Sequence, residues 1–168
     1  MLEFLRPVPM PNTECPRTRR GELFVRADLP TPSERRRRAV ENRLQRLQCA
    51  DVIERFETTV WEKRVPVADE DCQERTRYEE FRDWAAEAGA TLSPFFDTRR
   101  CYSWETAEKR TDLVMPALCL ALYEDDELVQ VAPFARGGTP HSIEECLDDL
   151  EAGRDPMSSG TVTVSTAD

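Results

Sequence analysis

The sequence predicts an α+β fold: one domain in which a mixed, mostly antiparallel sheet is covered by three helices, in the order β-α-β-α-β-β-β-α. Three observations carry that expectation. Short runs such as Glu22-Leu23-Phe24-Val25-Arg26 alternate at strand periodicity. Three longer segments repeat apolar residues at helical spacing behind capping residues. A third pattern, the nearly unbroken apolar run from Leu113 to Tyr123, is what a central strand covered on both faces requires.

Residues 1–18 hold Pro7, Pro9, Pro11 and Pro16 without periodicity and read as an irregular arm. The first strand, Glu22 to Leu29, alternates Leu23, Val25 and Ala27 with Glu22, Phe24, Arg26 and Asp28. Thr31-Pro32-Ser33-Glu34 then reads as a capping box, with a hydroxyl at the N-cap, proline at N1 and glutamate at N3. At about 100° per residue, Val40, Leu44 and Leu47 form one stripe of the helix that follows, while Arg35, Arg38, Asn42 and Arg46 lie opposite. Arg36, Arg37 and Arg43 flank the stripe, where their stems can cover apolar surface.

Residues 51–66 admit two readings with different functional meaning. A helix there makes a helix-turn-helix, and a strand makes a β-α-β unit. Thr58-Thr59-Val60-Trp61 favours a strand, about residues 54–65, with Pro66 closing it. The second helix takes Asp71 as N-cap, Glu74 at N3, a stripe of Tyr78, Phe81, Trp84, Ala85 and Ala88, and Gly89 as its stop. Residues 91–104 read as extended and interrupted by Pro94, and residues 105–110 as a polar loop. The Leu113–Tyr123 run and Leu128–Phe134 form a hairpin about Glu124-Asp125-Asp126-Glu127. After the Gly137-Gly138 loop, Ser142 and Glu145 cap a last helix carrying Ile143, Cys146, Leu147 and Leu150, which Gly153 ends. The domain thus spans residues 19–153, and the Ser-, Thr- and Gly-rich residues 154–168 read as a flexible tail.

The charge is 33 acidic against 23 basic residues, and of the basic ones only Lys63 and Lys109 are lysine. Such an acidic, lysine-poor surface keeps a protein solvated where salt screens ordinary charge effects. No apolar run of about 18 residues is present, and Met1 to Arg6 lacks the order of a secretory signal, so a cytoplasmic protein is expected. Residues 1–66 carry 14 basic and 10 acidic side chains, residues 67–168 carry 9 and 23. Either the first half meets an anionic partner, or the arginine helix faces carboxylates of the second half.

Catalytic chemistry is not expected. The six cysteines form no C-x-x-C pair and the only histidine is His141, so neither a metal nor a cofactor is implied. Cys119 and Cys146 fit as small buried hydrophobes. His141 fits a loop or helix-start residue. Arg136 beside Gly137-Gly138 has no nucleophile or base to serve.

Four stretches carry a resemblance: Glu22-Leu23-Phe24-Val25-Arg26, Ser33 to Leu47, Trp61-Glu62-Lys63-Arg64-Val65-Pro66, and Leu118 to Val129. In these the chain resembles a family of small haloarchaeal proteins described by a helix-turn-helix domain, which implies DNA binding and transcription regulation. The matching stretches span about residues 19–153. Two functional readings follow. In the first, a regulatory protein uses Arg35, Arg38 and Arg46 on DNA or another anionic partner. In the second, the chain is a protein-interaction or small-molecule sensing module without nucleic-acid contact, with Phe95, Phe96, Tyr102 and Trp104 lining a pocket.

Overall fold

A computed structural model describes residues 18–68, 71–102 and 104–154. Apart from Thr18 and Arg154, the expected arm and tail lie outside the described residues. The class and order expected from sequence hold. The chain runs β1 (Arg19–Arg26), α1 (Thr31–Cys49), β2 (Arg55–Trp61), β3 (Arg64–Pro66), α2 (Gln73–Ala88), β4 (Asp97–Tyr102) and β5 (Lys109–Val114). It continues as β6 (Leu118–Glu124), β7 (Glu127–Ala132), β8 (Phe134–Arg136), β9 (Thr139–His141) and α3 (Ile143–Glu151).

The main sheet has the order β2-β1-β6-β7, with β2 parallel to β1 and the other pairs antiparallel. One face, formed by Leu23 and Val25 of β1 and Leu118, Leu120 and Leu122 of β6, packs on α1 and α3. The other face carries Phe24, Cys119, Ala121, Tyr123 and Val131 against α2 and a second sheet, β3-β5-β4. Phe24 stacks on Trp61 at 4.7 Å and meets Phe81 edge-on at 5.6 Å. Strand β6, buried from Leu118 to Tyr123, is the central strand that its apolar run predicts. The main sheet is therefore covered on both sides, and Phe24, grouped by alternation with polar residues, belongs to the second core.

The differences are local. The extended segment expected over 54–65 divides at Glu62-Lys63 into β2 and β3, which join different sheets. The apolar run breaks at Met115-Pro116-Ala117, because proline donates no ladder hydrogen bond. Its first part becomes the end of β5, which reaches back through residues expected to be loop. The hydroxyl cap expected at Thr31 is absent: Thr31 is already helical, Pro30 is the N-cap, and the Glu34 N–H donates to the Pro30 carbonyl at 3.0 Å. Helix α2 starts behind Cys72 rather than Asp71, and the Cys72 thiol donates to the Glu74 carboxylate at 2.9 Å. The Ser142–Glu145 capping box of α3 forms as expected, and Gly89, in the left-handed region at φ 66°, ends α2.

Candidate nucleic-acid interface

Helix α1 is placed by its stripe. Val40, Leu44 and Leu47 are buried against the sheet, which turns the remaining circumference outward. Beside it lies α3, whose surface is acidic. Arg36 forms a two-pronged pair with Glu144, Nε to Oε1 at 2.6 Å and Nη2 to Oε2 at 2.9 Å. One helical stretch on, Arg43 donates to Asp148 and, at 3.0 Å, to Glu151. Arg36 opposite Glu144 and Arg43 opposite Asp148 and Glu151 show that the two helices run in the same direction. The Arg36 hydrogen bond, against the cost of burial, holds the Glu144 carboxyl below the usual carboxylate range. On the other flank Arg37 pairs within α1, with Glu41 at 3.1 Å and Glu34 at 3.7 Å.

The flanking arginines thus stand where internal compensation places them. The far-face arginines do not. Arg35, Arg38 and Arg46 are all exposed. Arg38, 76% exposed, reaches only Glu34 of its own helix, at 4.0 Å. Among the described residues Arg35 and Arg46 have no ion-pair or hydrogen-bond partner. From Arg35 to Arg46 the ridge runs roughly 16 Å along the helix axis, at about 1.5 Å per residue. Such a row of solvated guanidinium groups can bridge phosphates or read guanine edges.

Of the other residues singled out from sequence, His141, Arg136, Cys119 and Cys146 serve the fold. His141 stacks on Phe134 at 4.7 Å, with Nδ1 3.2 Å from the Glu145 carboxylate, at the start of α3. Arg136 donates to the Ala88 carbonyl at 2.9 Å, closing the end of α2. Burial pushes the thiol of Cys119 well up and that of Cys146 to about 12, so both act as apolar core. The five described cysteines are free thiols. Among the described residues no cluster of His, Cys, Asp and Glu is arranged to hold a metal, and no helix is long and apolar enough to cross a membrane. The four aromatic residues expected to line a pocket separate. Phe96 is core, Phe95 is half-buried, and Tyr102 and Trp104 are exposed beyond the second sheet. Alternation within β4 could have signalled the last pair, since Arg99, Arg100 and Tyr102 leave that strand without an apolar face.

Fold and site together define a small α+β protein whose first helix presents a cationic ridge on an otherwise acidic surface. The chain belongs to the family described as a helix-turn-helix domain, which it matches over residues 13–155. No curated protein and no solved structure matches it. Within the described residues no two helices are joined by a short turn: α1 leads into β2, and β3 and β4 flank α2. This member of the family carries its arginines on a β-α-β unit.

Proposed function

We propose that this protein is a cytoplasmic, DNA-binding regulatory protein that acts by binding rather than catalysis, with Arg35, Arg38 and Arg46 as its contact ridge. One observation carries the reading: the arginines of α1 that flank the core stripe are held by short ion pairs, whereas among the described residues Arg35 and Arg46 have none and Arg38 has only a 4.0 Å pair with Glu34. Membership of a helix-turn-helix family supports it. The opposing term is the net charge of −10. Three phosphate contacts lose roughly 40-fold in affinity for each fourfold rise in salt. In a salt-rich cytoplasm the ridge must therefore add base or shape contacts to its phosphate contacts. The test is retention of the wild-type protein on genomic DNA fragments in the salt that keeps it folded, beside the triple variant R35Q/R38Q/R46Q. Retention lost in the variant supports the reading, and no retention of either overturns it.

A second reading rests on a different observation. Strand β2 is an edge of the main sheet, with Val60 57% exposed and neither proline nor lysine within it. The Trp61 carbonyl accepts from Ala27 of the β1 side, so by alternation the peptide groups of Phe56, Thr58 and Val60 point to the open edge. An extended segment of a partner protein would add there, without nucleic acid.

A further inference from the structure

The second sheet carries a surface that none of the preceding contacts uses. It packs on the α2 side of the main sheet, and both lysines of the chain belong to it: Lys63 immediately precedes β3, and Lys109 opens β5. Beyond it stand Tyr102, 51% exposed, and Trp104, 90% exposed, with their rings edge to face at 5.3 Å. The other two tryptophans, Trp61 and Trp84, are buried, so core packing accounts for them and not for Trp104. In the β4–β5 register Tyr102 lies opposite Lys109 and Arg100 opposite Thr111, which sets Arg100, Tyr102 and Lys109 on one face. Among the described residues neither Arg100 nor Lys109 has an ion-pair partner. Tyr102 also borders an open cavity of about 540 Å³, whose lining includes Arg64, Thr106, Glu108 and Arg110. Arg110 is committed to the buried Asp112, 2.7 Å from Nε to Oδ1, and the Arg64 guanidinium, 3.8 Å from the Cys101 sulfur, also helps Arg110 hold the Asp112 carboxyl below its usual range. Arg64 lies opposite Val114 and so shares the face of Arg110 and Asp112, away from Arg100 and Lys109. The cations left to a ligand beside Tyr102 are Arg100 and Lys109, and Glu105 and Glu108 oppose them.

We propose that this surface binds single-stranded nucleic acid, with an unpaired base stacked on Trp104 and the adjoining phosphates met by Arg100 and Lys109. A duplex keeps its base faces covered, and an exposed indole has nothing to stack on unless a base is unpaired. An acidic peptide fits the cations but leaves the two aromatic rings unused. Stacking involves uncharged faces, so it persists at salt concentrations that weaken phosphate contacts. The site is separate from the α1 ridge and stands or falls without it.

The full-length protein titrated with a deoxythymidine oligomer of about ten nucleotides tests it. Trp104 is the only exposed tryptophan, so quenching of its fluorescence reports occupancy of this surface. Anisotropy of a labelled oligomer measures affinity independently. W104A should melt as the wild type does and bind the oligomer weaker by on the order of tenfold or more. R100Q/K109Q should bind with a shallower salt dependence. R35Q/R38Q/R46Q should bind the single strand as the wild type does, which separates this site from the α1 ridge. The proposal is overturned if the wild type does not bind the oligomer, or if W104A binds it equally. Competition by polyglutamate as effective as that by unlabelled oligomer would also overturn it, pointing to an acidic protein partner.

Discussion

Replacing Arg36 and Arg43 by glutamine removes the charged seam between α1 and α3 while leaving the buried stripe intact. Arg36 and Glu144 are both about two-fifths exposed, 42% and 40%, so their pair belongs with surface ion pairs, worth at most about 1 kcal/mol. Arg43 is only 19% exposed and serves two carboxylates, and its loss adds a similar amount. Together the two changes should cost about 1–2 kcal/mol at low ionic strength, lowering the melting temperature by roughly 3–8 °C for a domain of this size. Multimolar potassium chloride should shrink the difference to a few tenths of a kcal/mol, because screening acts on exposed pairs. The pH dependence has a definite sign. The Glu144 carboxyl titrates below its ordinary range in the folded protein, so its stabilisation is present above the ordinary carboxylate pKa. It is lost as pH falls through the lowered value. The variant should therefore show a flatter acid limb than the wild type in circular-dichroism melts at a series of pH values. Equal melting temperatures at low salt, or a deficit that grows with salt, would refute this reasoning and leave α1 and α3 joined by apolar contact alone.

Two further outcomes follow from the cores and the surface. Phe81, fully buried and within ring contact of Phe24 and Phe96, should cost about 3–5 kcal/mol on truncation to alanine, read by urea unfolding. A loss under about 1 kcal/mol would mean that α2 does not pack as described. The wild-type melting temperature should rise from low to multimolar potassium chloride, because a net charge of −10 repels itself until screened and pairs such as Arg43 with Asp148 and Glu151 offset only part of it. A flat or falling trend would contradict the salt-adapted reading of the composition.

Much of this was legible in the chain. Helix α3 declares itself by Ser142 and Glu145, α2 ends where Gly89 permits a left-handed residue, and β6 is apolar because it is covered on both sides. The angular spacing of α1 also separates Arg36 and Arg43 from Arg35, Arg38 and Arg46, and among the described residues only the first two reach carboxylates of another element. The remainder depends on contacts distant in sequence. Which carboxylates meet Arg36 and Arg43 follows from α3 lying beside α1, 105 to 108 residues later, and no local pattern encodes it. Strand β5 was hidden because Lys109, Arg110 and Thr111 are exposed and carry no apolar alternation, so only pairing with β4 makes them a strand. The α1 cap was misplaced because Pro30 and Pro32 both permit a helix start, and the backbone of Pro30 took the position. Tyr102 and Trp104 suit a core by residue type, and the lack of an apolar face in β4 was the one local sign that they stand in solvent.

The most direct test of the division within α1 compares two variants, R35Q/R38Q/R46Q and R36Q/R43Q, in one experiment: retention on genomic DNA fragments at high salt, with thermal melts alongside. The first should melt within about 0.5 kcal/mol of wild type and lose retention, because exposed charges with at most one long intrahelical pair contribute little to stability. The second should be destabilised at low salt and keep retention wherever it is folded. The reverse pattern, or a triple variant that unfolds, would contradict the division and make the far-face arginines part of the fold.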